Sequence, residues 1–187
     1  MSRCLRCCRQ QRRRATQLWR PNTRYLHLVL EREIKSSLST GNPLSLLFLD
    51  LDRFKGVNDQ HGHLMGSKLL VELADLLQEC VREGDIVTRY GGDEFVILLL
   101  GTDAALAMSV AERIRRTVET HAFLAAEGLT VTLTTSVGVA SFPEHGADKQ
   151  KLLNLADRAL YAGKRSTRNV VFLADPEDLT RTEKHAS

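Results

Sequence analysis

The sequence lacks the features that place a protein in or across a membrane. No apolar run among its 187 residues approaches the ~18 residues that a membrane-spanning helix needs. The first residues contain no apolar segment typical of a signal peptide. We therefore expect a cytoplasmic protein with no membrane segment in this chain.

Cysteine is also scarce, and its positions do not suggest a zinc site. Three of the four cysteines, Cys4, Cys7 and Cys8, lie near the N-terminus, and Cys80 lies in a helical pattern. The spacing of Cys4 and Cys7 supplies half of a zinc site, but no second pair or nearby histidine supplies the other ligands. We expect no zinc, and we interpret Cys80 as a small core residue.

Acidic residues are absent from residues 1–24, where eight arginines lie. Without these eight, the 26 basic residues fall to 18 against 23 acidic residues, so the net charge of +3 hides a mildly acidic remainder. That balance does not indicate nucleic acid binding. Residues 1–20 show no helix or strand pattern, and we interpret them as a disordered or non-native leader. We predict one domain at residues 21–174 and a polar tail at 175–187.

Hydrophobic periodicity predicts the element order α-β-α-β-β-α-β-α-β. This order is typical of an α/β (α+β) sandwich, in which helices flank a mostly antiparallel central sheet. The first predicted helix carries Leu26, Leu28, Leu30, Ile34 and Leu38 on its apolar face. The other predicted helices are 54–60, Gly62 to about Arg82, 104–122 and 151–164, and the predicted strands are 44–50, 85–88, 95–100, 129–139 and 170–173.

Two adjacent acids stand at the turn of a predicted hairpin. The segment Arg89-Tyr90-Gly91-Gly92-Asp93-Glu94-Phe95 joins two apolar runs through two glycines, as expected for a primed β-turn. Asp93 and Glu94 repel each other unless a cation or a donor-rich ligand lies beside them. The alternative is an exposed turn with two solvated acids.

Further carboxylates, Asp50 and Asp52, stand at the end of the first predicted strand. Because a buried strand delivers the side chains at its end to a cleft, these acids can converge with Asp93 and Glu94. Such a cluster needs cations, and paired Mg²⁺ ions serve nucleotidyl transfer. The alternative is a set of separate ion pairs to Arg53, Lys55 and Arg89.

The segment Arg89-Tyr90-Gly91-Gly92-Asp93-Glu94-Phe95 resembles the signature of the GGDEF family, the diguanylate cyclases. The resemblance is collinear over about residues 21–173, and the family fold is similar to the palm of polymerases and adenylate cyclases. The other matching segments are Leu49-Asp50-Leu51-Asp52-Arg53-Phe54-Lys55, Val57-Asn58-Asp59, Gly62-His63-Leu64-Met65-Gly66, Ser136-Val137-Gly138-Val139-Ala140, Ala156-Asp157, Ala159-Leu160-Tyr161, Lys164 and Arg168-Asn169.

The resemblance implies an enzyme that condenses two nucleoside triphosphates into a 3′,5′-cyclic dinucleotide and releases pyrophosphate. Two Mg²⁺ (or Mn²⁺) ions per active site would be held by Asp50, the carbonyl of Leu51, Asp93 and Glu94. Asp93 or Glu94 would also help to deprotonate the attacking 3′-hydroxyl. Each domain would bind one nucleotide, so the resemblance implies a homodimer as a condition of catalysis.

The resemblance also implies the phosphate contacts. Backbone amides around Arg53 and Phe54 would cradle phosphates, and Gly91-Gly92 would leave room for them. Lys164 and Arg168, four residues apart, would clamp the triphosphate from one face of a helix end.

The segment Arg82-Glu83-Gly84-Asp85 has the position of the family's RxxD product-inhibition site. Arg82 and Asp85 would grip a cyclic dinucleotide there, with Arg113 as a secondary arginine. The alternative is an ion pair of residues i and i+3 at a helix end.

Ser67 departs from the family pattern, which has Asp at this position. That Asp, with Asn58, reads the donor groups of guanine, whereas a serine hydroxyl both donates and accepts. We therefore expect weaker selection of guanine and tolerance of adenine. A GGDEF subgroup with Ser here resembles this sequence and makes cyclic GMP-AMP from GTP and ATP. Neutral drift, with Asn58 sufficient for guanine, is the alternative.

The N-terminal edge departs as well. The family opens with Asp-x-Leu-Thr-Gly-Leu before Pro-Asn-x-Arg, but Gln17-Leu18-Trp19-Arg20 precedes Pro21-Asn22-Thr23-Arg24 here. The leader resembles translation in a displaced frame joined near Pro21, in which case an upstream sensory region is missing. A rival function is a silent GGDEF receptor that binds cyclic dinucleotide or GTP, although intact signature residues argue against it.

Overall fold

The apolar run that begins at Leu44 forms the central strand of the sheet. The computed structural model describes residues 23–146 and 148–175. The predicted leader, Pro21-Asn22 and the predicted tail beyond Asp175 lie outside the described residues. None of the described helices is long and apolar enough to cross a membrane.

The described elements follow the predicted order. They are α1 (Thr23–Thr40), β1 (Leu44–Asp52), α2 (Phe54–Glu79), β2 (Ile86–Gly91), β3 (Glu94–Leu100), α3 (Ala104–Thr120), a 3₁₀ turn (Ala125–Glu127), β4 (Thr134–Phe142), α4 (Lys149–Ser166) and β5 (Val171–Leu173). The strand order in the sheet is β2-β3-β1-β4-β5, and neighbouring strands are antiparallel except β4 and β5. The predicted sandwich with a mostly antiparallel sheet is confirmed.

Helices cover both faces of the sheet, which explains why β1 is apolar at nearly every position. Leu47 and Leu49 pack against α2 and α3, whereas Leu46 and Phe48 pack against α1 and α4. Because side chains alternate along a strand, both faces of β1 are buried. The polar residues Asp50 and Asp52 therefore lie near the end of a strand that has no solvent-facing side.

Several predicted boundaries and faces are wrong. In α1 the buried residues are Leu26, Val29, Leu30 and Ile34, whereas Leu28 is 64% exposed and Leu38 is 68% exposed. Leu28 lies two residues from Leu26, so a period of 3.6 residues puts the two side chains on opposite faces.

The predicted break at Gly62 is confirmed: α2 consists of two helical segments that meet at Gly62, whose φ of 81° and ψ of 159° are not helical. The second segment ends at Glu79, earlier than the predicted end near Arg82. Strand β4 begins at Thr134, not at 129, because Val131 pairs with Phe123 in a separate bridge.

Candidate active site

Asp50 and Glu94 lie directly opposite each other on neighbouring strands. They are partners in the β1–β3 register, and the two-residue loop between β2 and β3 is Gly92 and Asp93. Gly92 has φ of 48°, the left-handed conformation that glycine adopts easily at the first position of such a loop. The hairpin thereby brings Asp93 and Glu94 to the end of β1.

Burial and mutual repulsion change how these carboxyl groups ionise. Burial raises the pKa of Asp50; the hydrogen bond from Lys164 opposes this shift, and the charge of Asp93 adds to it. Burial also raises the pKa of Glu94, and the charges of Asp50 and Asp157 raise it further. The anionic forms are therefore costly, and the site favours a positive charge beside them.

The donor set fits a divalent cation. Asp50, Asp93 and Glu94 offer anionic oxygen atoms, which Mg²⁺ prefers, and the Lys164 ammonium group already forms an ion pair with Asp50. Within residues 23–146 and 148–175, no three His, Cys, Asp or Glu side chains are close enough together to form a preassembled metal site. The fit therefore rests on charge and donor type.

Two contacts at the hairpin were not evident from the sequence. Asp157 of α4 lies near enough to Glu94 to raise its pKa, and its place in the family-like Ala156-Asp157 segment is the signal that could have identified it. Arg89 donates from Nε and Nη2 to the carbonyl of Gly92 at 2.9 and 2.7 Å, which closes the turn. No local pattern distinguishes this contact from an ion pair of Arg89.

Helix α2 starts beside the carboxylates without a side-chain cap. Arg53 occupies the N-cap position with φ of 62°, and its side chain makes no capping hydrogen bond. The first turn, which begins at Phe54, can therefore present backbone N–H groups to an anion.

A cavity of about 580 Å³ lies between α2 and the hairpin. It is lined by Phe54, Lys55, Asn58, Asp59, His63, Ser67, Leu70, Arg89, Gly92 and Asp93. Asn58 packs so closely against Gly66 that a Cβ atom on Gly66 would overlap its Oδ1 atom. Ser67 donates its hydroxyl proton to the carbonyl of His63 at 2.9 Å. The two predicted base-reading residues, Asn58 and Ser67, thus line one cavity with Asp93.

Lys164 and Arg168 do not share a helix face, so that prediction is wrong. Helix α4 ends at Ser166, and Arg168 follows in the left-handed conformation with φ of 56°. Lys164 pairs with Asp50, whereas Arg168 and Arg53 line a second cavity of about 420 Å³. The helix stops before a further turn could align the two basic residues.

The three residues predicted for an inhibitory site surround the end of α2. Asp85 accepts hydrogen bonds from the backbone N–H groups of Arg82 at 3.0 Å and Leu100 at 3.1 Å. Arg113 donates from Nη2 to the carbonyl of Cys80 at 2.8 Å. Arg82 itself is exposed. Asp85 therefore fixes the backbone of this segment, and Arg113 joins α3 to the end of α2.

Comparison with known proteins agrees with this geometry. Residues 14–170 match the family model described as diguanylate cyclase, GGDEF domain. The chain is 42% identical over 152 residues to diguanylate cyclase DosC of Escherichia coli (strain K12), an alignment that covers 81% of this chain and 33% of that protein. The chain thus spans about a third of the length of this curated relative.

Solved structures show the same fold. The GGDEF domain of YfiN (also called TpbB) from Pseudomonas aeruginosa superposes with a TM-score of 0.76 at 35% identity, covering 81% of this chain and 94% of that one. The GGDEF domain of DgcB from Caulobacter crescentus, solved in complex with c-di-GMP, gives a TM-score of 0.73 at 29% identity, covering 80% and 86%.

Proposed function

Because this chain belongs to the GGDEF-domain diguanylate cyclase family, we propose that it condenses two nucleoside triphosphates into a 3′,5′-cyclic dinucleotide. The observation that carries the proposal is the pairing of Asp50 with Glu94 across β1 and β3, next in sequence to Asp93, which lines one cavity with Asn58 and Ser67. In each of two condensations, a 3′-oxygen forms a bond to the α-phosphorus of the other nucleotide. The bond from that phosphorus to the β-phosphate oxygen breaks, and pyrophosphate leaves.

Asp50, the carbonyl of Leu51, Asp93 and Glu94 would hold two Mg²⁺ (or Mn²⁺) ions. Cations held there would supply Lewis-acid chemistry, neutralising phosphate charge and making the α-phosphorus a better electrophile. The carboxylates are suited to this because burial and mutual repulsion already penalise their negative charge.

Glu94 or Asp93 accepts the proton of the attacking 3′-hydroxyl. The amides around Arg53 and Phe54, with Lys164 and Arg168, bind the phosphates, and Gly91 and Gly92 leave space for them. At Gly92, the position that a Cβ atom would occupy has no atom of the described residues within 4 Å, apart from its chain neighbours.

The base is chosen by Asn58 and Ser67. In the observed rotamer Ser67 donates to the carbonyl of His63, so only its lone pairs are offered to the cavity, and these accept from guanine. Adenine N1 needs a donor, which Ser67 can supply if its hydroxyl turns away from His63. That turn loses one local hydrogen bond, a net cost of about 1 kcal/mol. We therefore propose cyclic di-GMP as the main product and cyclic GMP-AMP as a second product.

Each chain contributes one such cavity, so catalysis requires two chains face to face. Product at Arg82, Asp85 and Arg113 would provide feedback inhibition. We also propose that the reaction takes place in the cytoplasm, where GTP is available.

The test is a turnover assay of the full chain with GTP, ATP and Mg²⁺, in which pyrophosphate is followed and products are separated. We expect pyrophosphate release whose rate per chain rises with protein concentration, as a dimer-dependent reaction requires. Asp50→Asn should lower the rate by roughly two to three orders of magnitude, the cost typical of removing one preorganised electrostatic contact. Glu79→Gln, which changes an exposed carboxylate at the end of α2, is the matched control. Binding of GTP without pyrophosphate release would instead show a silent receptor.

A further inference from the structure

Two consecutive residues after α4 adopt the left-handed conformation, although neither is glycine. Arg168 has φ of 56° and Asn169 has φ of 52°. Asn tolerates this conformation better than most residues, but Arg does not. Such a backbone persists only where its surroundings hold it. The contacts of this turn therefore show what fixes the position of Arg168.

Asp52 binds the turn directly. Its side chain is buried, with 4% exposure, and its Oδ2 atom accepts from the backbone N–H of Asn169 at 2.9 Å and from the Thr134 hydroxyl at 2.8 Å. Its Oδ1 atom accepts from the Ser136 hydroxyl at 2.9 Å. Both carboxylate oxygens are thus occupied, and the carboxylate is held rigidly between β4 and the turn.

The side chain of Asn169 is held from the other side by α3. Its Oδ1 atom accepts from Arg115 Nη1 at 2.7 Å, and its Nδ2 atom donates to Glu119 Oε1 at 2.8 Å. Arg115 is fixed in turn by two hydrogen bonds to Glu112, both of 2.8 Å. The turn is therefore clamped between β1 and α3.

The clamped turn borders the cavity of about 420 Å³ that Arg53 and Arg168 line together. Asp52, Thr134 and Asn169 line the same cavity. The two guanidinium groups can bind phosphate oxygens in this cavity, provided that the backbone of Arg53 and of Arg168 is held in place.

We propose that Asp52 is a positioning residue: by binding the Asn169 N–H it holds the left-handed turn that presents Arg168 to the triphosphate. The inference rests on the proposed function, because it takes Arg168 as a phosphate-binding residue. It separates Asp52 from its neighbour Asp50 two residues earlier, since Asp52 acts through a hydrogen-bonded turn and not as a metal ligand.

The experiment measures binding of a GTP analogue with a methylene group between the α- and β-phosphorus atoms, by calorimetry with Mg²⁺ and the full chain. Asp52→Ala should weaken binding about tenfold, which is ~1.4 kcal/mol. Asp52→Asn should stay within about threefold, because its carbonyl oxygen can accept from the Asn169 N–H and the Thr134 hydroxyl, while its amide group donates to the Ser136 hydroxyl. In an Arg168→Ala background, Asp52→Ala should cause no further loss.

A second pair of variants tests the turn where Asp52→Ala fails to fold. Asn169→Gly and Asn169→Ala both remove the bonds to Arg115 and Glu119, but only alanine opposes the left-handed backbone. Alanine should therefore weaken binding more than glycine. Ser45→Ala, which removes buried hydrogen bonds to Thr102 and Ser141 at the far end of β1, controls for lost stability and should bind normally.

Additive losses for Asp52→Ala and Arg168→Ala would overturn the inference, as would an Asp52→Asn variant as weak as Asp52→Ala. Equal losses for the two Asn169 variants would overturn the role of the turn. If the wild type binds the analogue but releases no pyrophosphate from GTP, the proposed enzyme activity is wrong. The role of Asp52 is then tested by the binding of the variants alone. No binding by the wild type would overturn both.

Discussion

We propose that single side chains decide which base the site accepts. Asn58 is held against Gly66, which has no Cβ to displace it, whereas Ser67 is exposed and joined only to its own helix by the bond to His63. Because the Ser67 hydroxyl can turn to donate or to accept, Asn58 and Ser67 together distinguish only weakly between bases that present donors and bases that present acceptors. On this proposal, base choice depends on one hydroxyl group.

Restoring the family's carboxylate should sharpen that choice. With Ser67→Asp, we expect the ratio of guanine to adenine incorporation to rise roughly 10- to 100-fold, because a carboxylate only accepts hydrogen bonds. Product separation at equal GTP and ATP measures the ratio. Ser109→Asp, on the exposed side of α3, is the charge control. If the wild type already makes only cyclic di-GMP, the role given to Ser67 is wrong.

At the scale of elements, two contacts hold the frame of the site. Helix α4 packs so closely on β4 that a Cβ atom on Gly138 would overlap the backbone of Ala156 and Leu160. Helix α3 carries the Glu112–Arg115 pair that supports Asn169. The first contact is steric and the second is electrostatic, so they respond to different perturbations.

Gly138→Ala should lower the free energy of unfolding by roughly 1–3 kcal/mol, since the overlapping atoms are backbone and cannot turn aside. Chemical denaturation measures the change. Gly56→Ala is a matched control, because no atom of the described residues lies within 4 Å of its Cβ position apart from its chain neighbours and the nearby backbone of its own helix. It should be neutral or stabilising. Equal stability of the two variants would contradict the packing described.

The α3 network should make stability depend on pH. The hydrogen bond from Arg115 lowers the pKa of Glu112 from 4.5 to about 2. Glu112 therefore contributes stability above pH 4.5, and this contribution is lost as the pH falls from 4.5 towards 2. Because Glu112 is partly exposed, the effect should stay below about 1 kcal/mol.

Denaturation at pH 6 and at about pH 3 measures this contribution. Glu112→Gln should be less stable than the wild type at pH 6, and the difference should shrink at the lower pH. A difference that does not change with pH would show that Glu112 contributes by packing alone.

For the whole molecule, we propose that feedback acts at a site separate from the carboxylates. Arg82 and Arg113 lie at the C-terminal end of α2, whereas residues nearer the start of α2 line the cavity of about 580 Å³. Asp85 is a poor choice for testing this region, because its carboxylate also holds the backbone of Leu100. Arg82 is exposed and can be removed with less structural disturbance.

Arg82→Ala should raise the concentration of cyclic di-GMP needed for half-inhibition at least about tenfold, since a charge-assisted contact is lost. The initial rate without added product should not change. Rates measured with increasing cyclic di-GMP test this, and Arg32→Ala, which removes an exposed arginine of α1, is the control. Unchanged inhibition would leave Arg82–Asp85 as a purely structural helix end.

Local pattern was enough to predict the element order and the antiparallel sheet. Alternation and helical periodicity are properties of neighbouring residues, and β1 reads as doubly buried from its composition alone. The pattern was not enough for α1 or for the start of β4. Leu28 is exposed because only the opposite face of α1 packs against the core. The separate Phe123–Val131 bridge likewise depends on tertiary packing.

The sequence by itself determined the fold class, the family and the types of side chain at the hairpin. Motif spacing and hydrophobic periodicity are properties of the sequence and can be observed without a structure. Only the tertiary structure decided which partner each charged group meets. In the structure Asp50 forms an ion pair with Lys164, and Asp52 accepts a hydrogen bond from the backbone N–H of Asn169. Lys164 and Arg168 lie apart because α4 ends between them. Those pairings join residues more than 100 positions apart or depend on where a helix stops, and neither is encoded in local periodicity.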